Sequence, residues 1–137
     1  MPELADTSVW AVRRQPAVAS WWTAQMATGE IGICEMVKVE LLHSARSGAE
    51  FTALRQNLSG MPNHTLSERA WSRMLEVYEL LAHVGPQHHR SVSPADLIIA
   101  ACAEEAGWVL VHYDQDYDAI AAVTGQPTRW VAPRVSF

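Results

Sequence analysis

The stretch WVLV, residues 108–111, is apolar at every position, whereas a strand with one wet face alternates apolar and polar residues. A run of this kind asks for cover on both faces, the condition of a strand inside a parallel sheet. It follows SPADLIIAACAEEAG, residues 93–107, in which Ser93 and Pro94 mark a helix start and Gly107 its C-terminal edge. A helix feeding a doubly covered strand is half of a βαβ unit, and nothing else in the chain restricts its fold as much.

The same alternation recurs upstream and downstream. Residues 3–5 read as the end of a first strand, and residues 15–30 as a helix with Pro16 near its first turn and Gly29 near its end. Residues 31–34 give a second strand, residues 35–46 a helix, and residues 50–58 another helix before the break at Gly60, Met61 and Pro62. The clearest helical period spans residues 65–86, where Trp71, Met74, Leu75, Tyr78, Leu81 and Ala82 form an apolar stripe. Thr65 and Glu68 fit a capping box there, and Gly85 with Pro86 a stop. HHRSV, residues 88–92, extends toward a strand, a further helix starts near Asp116, and residues 129–131 form the last strand. This order predicts an α/β fold, a three-layer α/β/α sandwich around a central parallel sheet of about four to five strands.

Length and composition fit one domain covering residues 1–137, with 49% apolar and 18% charged residues and no low-complexity tract. No apolar stretch approaches the ~18 residues of a membrane span and no secretory leader is visible, so a cytoplasmic protein without a membrane partner is expected. Cys34 and Cys102 are far apart in apolar segments and read as buried free thiols. Ten Lys and Arg against fifteen Asp and Glu give a formal charge of −5, which argues against a nucleic-acid binder with a broad basic face. A bound divalent cation would reverse that argument locally.

The acids carry the chemistry. Asp6 follows the first strand and Asp114 follows WVLV, and ligands of open parallel sheets bind outside the carboxyl ends of the strands. Glu40 falls between Met36 and Val37 on the helical wheel, inside an apolar face, where an ionised carboxylate is costly unless a cation or donors compensate it. Asp96 stands in the first turn of its helix, where capping by SPAD and a functional role are equally good readings. Asp116 and Asp118 both suit the cap of the next helix, Asp118 more so. Four carboxylates at one sheet edge repel one another, and a metal resolves the conflict. Oxygen ligands without Cys or a paired His motif suit one or two Mg²⁺ or Mn²⁺ ions.

With DTSVW at Asp6, VELL around Glu40, SPADLIIAACAEEAG around Asp96 and VLVHYDQDYDAIAAVTG around Asp114 and Asp116, the sequence resembles the PIN-domain family along its whole length. Within that family it looks like the short VapC-type toxins of bacterial toxin–antitoxin pairs. The resemblance implies a metal-dependent endoribonuclease in which Asp6, Glu40, Asp96 and Asp114 are the core acids and metal ligands, with Asp116 an additional ligand. It implies RNA as substrate, a homodimer, and a cognate VapB-type antitoxin that covers the site. A workable reaction is phosphodiester hydrolysis by metal-activated water, with Glu40 orienting or deprotonating that water.

One position departs from the pattern: His112 stands where many relatives carry Thr or Ser. Packing or a local hydrogen bond is the first reading of His112, and contact with a substrate phosphate or a metal the other. Ser8 is either a substrate contact or a turn hydroxyl. Arg13, Arg14, Arg46 and Arg90 are candidates for backbone contacts, or plain surface charge. Trp10, Trp21 and Trp22 are candidate partner anchors, with core packing expected for at least one. A receiver domain is disfavoured because the only lysine, Lys38, follows no late strand. A haloacid-dehalogenase-type phosphatase would need Asp where Ser8 stands. The alternative from another class is a catalytically inactive PIN fold that only binds its antitoxin or RNA.

Overall fold

A computed structural model describes residues 1–85 and 88–137. Four strands, β1 (Glu3–Ala5), β2 (Ile31–Gly32), β3 (Val109–His112) and β4 (Thr128–Trp130), form one parallel sheet in the order β2-β1-β3-β4. Register is set by Leu4 opposite Gly32 on one side and Leu110 on the other, and by His112 opposite Trp130. Successive strand residues point to opposite faces. Leu4 and Ala5, like Leu110 and Val111, are all fully buried, so helices cover both faces and the three-layer sandwich expected from WVLV is found.

The helices among the described residues are α1 (Thr7–Val12), α2 (Pro16–Ala27), α3 (Glu35–His43), α4 (Gly48–Leu58), α5 (Glu68–Val84), α6 (His88–Ser91), α7 (Pro94–Ala106) and α8 (Asp116–Thr124). The start of α7 is the one read from sequence: Ser93 Oγ accepts from the Asp96 N–H, and Gly107 closes the helix with φ of 72°. Several other expectations are corrected. The α1 helix begins directly after Asp6, where the sequence reading placed only a strand end. The second strand stops at Gly32 because the Ile33 N–H turns to the Pro62 carbonyl and Ile33 bridges Asn63.

Further along, α5 starts at Glu68 with Ser67, not Thr65, as its cap, because Ser67 Oγ accepts from the Ala70 N–H. Its buried face is Ala70, Val77 and Leu81, with Met74 and Tyr78 partly covered. Trp71 and Leu75, expected inside, are 46% and 64% exposed, and Ala82 is exposed as well. Residues 88–91 are helical rather than extended, and the proposed stop at Pro86 lies outside the described residues. The Trp10 and Trp22 rings meet edge to face at 4.7 Å inside the core, while Trp21 is half-buried under the Arg129 guanidinium. Cys34 and Cys102 are buried free thiols. No helix among the described residues is long and apolar enough to cross a membrane.

Candidate metal centre

In this strand order the chain leaves β1 toward β2 on one side and leaves β3 toward β4 on the other. The crevice between the carboxyl ends of β1 and β3 is therefore the switch point at which a parallel sheet opens to ligands. Asp6 and Asp114 stand at those two ends.

Asp6 is 4% exposed and anchored on both oxygens. Its Oδ2 accepts from the Ser8 N–H at 2.9 Å and from Ser8 Oγ at 2.5 Å, and its Oδ1 accepts from the Tyr117 hydroxyl at 2.6 Å. Ser8 Oγ also accepts from the Tyr113 N–H at 2.9 Å, so it ties the exit of β1 to the exit of β3. Both hydrogen-bonding functions of Ser8 are thereby engaged within the chain. Asp114 Oδ1 accepts from the Asp116 N–H at 2.9 Å, which folds the turn into α8. Asp96 comes in from the first turn of α7, with one oxygen 3.2 Å from the same Tyr117 hydroxyl.

Carboxylate oxygens of Asp96, Asp114 and Asp116 lie within 4.8 Å of one another, a spacing that one cation can span. Burial and like charge both act on two of these acids. Burial first, then the charges of Asp6 and Asp114, push Asp96 up to about 6, against the pull of the Ser93 and Tyr117 hydroxyls. Burial and then Asp114 raise Asp116 as well. Three clustered hard oxygen donors, with Asp96 and Asp116 disfavouring ionisation, fit a divalent cation of the Mg²⁺ or Mn²⁺ type.

The remaining acids are placed differently. Glu40, on α3, is half-buried and accepts from Thr7 Oγ1 at 2.7 Å, so a donor relieves the cost expected of it. Its link to the centre runs through Thr7, next in sequence to Asp6, and it lies outside the three-acid group. Asp118 is exposed and accepts from the Trp130 indole N–H at 3.2 Å instead of capping its helix.

His112 is fully buried, which removes it as a substrate contact. Its Nδ1 accepts from the Asp114 N–H at 3.2 Å, so the neutral ring carries its proton on Nε2, an atom with no hydrogen-bond partner among the described residues. Burial lowers its pKa, which keeps it neutral. Arg13 donates to the Trp10 carbonyl at 2.6 Å at the end of its own helix, and Arg14, Arg46 and Arg90 are exposed. Two contributors escaped the sequence reading. Thr7 was visible only as a hydroxyl beside Asp6, and Tyr117 carried no signal, since its partners are Asp6, just past β1, and Asp96 on α7.

A family model of the PIN domain matches residues 4–123. The chain belongs to the PIN-domain family. This PIN domain is 45% identical over 129 residues to Ribonuclease VapC18 of Mycobacterium tuberculosis, covering 94% of each chain. To Ribonuclease VapC51 of the same organism it is 36% identical over 130 residues, covering 95% of this chain and 93% of the relative. Among solved structures it superposes on a chain of the DNA-bound VapBC complex of Salmonella typhimurium with a TM-score of 0.73 at 19% identity, covering 96% of this chain and 100% of the other. A chain of VapBC2 from Rickettsia felis gives 0.71 at 17% identity, over 95% and 98%. These structural likenesses bear on the fold and agree with the parallel sheet described above.

Proposed function

We propose that this PIN domain, taken as the whole chain, is a metal-dependent endoribonuclease and the toxin of a toxin–antitoxin pair. The observation that carries the proposal is the convergence of Asp96, Asp114 and Asp116 within 4.8 Å at the sheet's switch point. The ribonuclease names of the relatives at 45% and 36% identity support the substrate class. The structural neighbours are VapBC complexes, which agrees with a VapB-type antitoxin as partner, and a homodimer in the cytoplasm completes the reading.

Asp96, Asp114 and Asp116 hold one or two Mg²⁺ or Mn²⁺ ions, with Asp6 alongside. A bound ion supplies charge neutralisation at the phosphate and a water acidic enough to ionise near neutral pH. The chain's own side chains do the rest. Ser8 fixes the Asp6 carboxylate and the β1–β3 gap. Thr7 holds Glu40 by a donated hydrogen bond, so that the carboxylate keeps lone pairs to orient or accept a proton from the attacking water. Arg13, at the C-terminal end of α1, is the proposed phosphate contact. No nucleophilic side chain is required, and the presence of every core acid favours turnover over the inactive binding module.

Antitoxin-free protein is expected to cleave RNA only with Mn²⁺ or Mg²⁺ present, and Asp96→Asn and Asp114→Asn should each lower the rate by at least about 100-fold. Cleavage of gel-resolved RNA by wild type and variants alike, or cleavage that survives chelation, would refute the assignment.

A further inference from the structure

Tyr117 lies in the first turn of α8 and is fully buried. A buried phenol needs a polar partner, and this one meets two carboxylates from separate elements, Asp6 Oδ1 at 2.6 Å and Asp96 Oδ1 at 3.2 Å. One hydroxyl carries one proton. The shorter contact is the donation to Asp6, and the phenol oxygen then stands over Asp96 as the common neighbour of both acids. Asp6 is held in sequence by its own turn and Asp96 by the Ser93 cap, but it is the hydroxyl that bridges them across the crevice.

The ring itself is fixed from below. His112 packs against it with centroids 5.1 Å apart and planes tilted by 38°, and Trp130 backs His112 at 5.1 Å. His112 is in turn pinned by the Asp114 N–H. An aromatic floor of this kind lets the hydroxyl act as a fixed point rather than a swinging one. With Oδ1 accepting the phenol proton and Oδ2 held by Ser8, Asp6 has a set orientation, and the phenol oxygen at 3.2 Å fixes how closely Asp96 Oδ1 approaches it. We infer that Tyr117 is a positioning residue whose hydroxyl, anchored on Asp6, sets the placement of Asp96 in the cation site it forms with Asp114 and Asp116. This rests on the metal-dependent reading above.

Tyr117→Phe keeps the ring and its packing and removes one oxygen. Titration of the full-length chain with MnCl₂ by calorimetry should show Mn²⁺ affinity weakened by about 10- to 100-fold, the usual cost of losing a partner that orients a ligand. Cleavage at limiting Mn²⁺ should lose kcat, regained in part as Mn²⁺ is raised, with KM for RNA unmoved. Ile120→Val, which trims the buried face of the same helix, serves as the packing control: it should lower Tm and leave Mn²⁺ affinity alone. Equal Mn²⁺ affinity in wild type and Tyr117→Phe would overturn the inference while leaving the metal-dependent reading intact, as would an equal loss in Ile120→Val. A wild type that takes up no Mn²⁺ would overturn both.

Discussion

At the scale of a residue, Asp96 shows what the site costs the fold. As the third residue of α7 its backbone N–H is capped by Ser93 Oγ, and a carboxylate in a first turn is normally favourable. Yet burial and the neighbouring Asp6 and Asp114 raise its pKa to about 6. In an unfolded chain the group ionises near the ordinary aspartate value, so the folded state binds the proton more tightly. The stability it contributes is present below about pH 4 and is lost as pH rises through about 6. Two pH units correspond to about 3 kcal/mol, an upper limit because one edge of Asp96 meets solvent. In chelating buffer Asp96→Asn should therefore melt higher than wild type at pH 7, and the gap should shrink toward pH 4. Millimolar Mn²⁺ should reverse the order, since only the wild type then gains from binding. Thermal melts at the two pH values check this; an Asp96→Asn protein that melts lower at pH 7 in chelator would mean that the carboxylate stabilises the metal-free fold.

At the scale of elements, the close approach of β2 to the residue preceding β3 is set by one missing side chain. A Cβ at Gly32 would come within 2.6 Å of Cζ3 and 2.8 Å of Cε3 of Trp108, so the indole lies against bare backbone. Gly32→Ala should cost about 1–3 kcal/mol through overpacking, and Trp108→Leu on the Gly32→Ala background should recover part of the loss, both read from urea midpoints. A neutral Gly32→Ala would mean that the ring moves aside freely. Contacts of this sort also explain what the sequence could and could not reveal. The α7 boundaries were legible because Ser93, Pro94 and Gly107 act locally, and Asp6 and Asp114 because strand ends in a parallel sheet are chemically privileged. The inward face of α5 was legible in part: Leu81, Met74 and Tyr78 of the expected stripe do turn inward, but Trp71 and Leu75 fit the same helical period, and the packing of α6, α7 and α8 against the helix turns Ala70 and Val77 inward in their place. The end of β2 depends on Pro62, and the role of Tyr117 on acids 111 and 21 residues away.

At the scale of the whole molecule, an acidic protein is proposed to act on a polyanion. Its formal charge is −5, and part of its positive charge is committed internally, Arg129 to Glu3 at 2.6 Å and Arg73 to Glu104 at 3.1 Å. Phosphates entering the crevice without a cation meet three clustered acids, so in chelator the site itself should oppose RNA. Removing a negative charge about 4 Å from a phosphate in a water-like dielectric relieves about 1 kcal/mol. The double variant Asp96→Asn with Asp114→Asn should thus bind a labelled single-stranded RNA up to about 30-fold more tightly than wild type in chelator at low salt. Added salt should erase the difference, because exposed charges are screened within about 10 Å at 0.1 M. With Mn²⁺ the ranking should invert, since the double variant has lost two of the three ligands that bring the cation to the phosphate. Fluorescence anisotropy in the two buffers reads both rankings. Had the acids bound RNA directly by accepting its hydrogen bonds, the double variant would be the weaker binder in each buffer. Had the centre been remote from the RNA path, wild type and variant would bind alike in both. An inversion between buffers arises only if metal and phosphate meet at the end of β1 and β3.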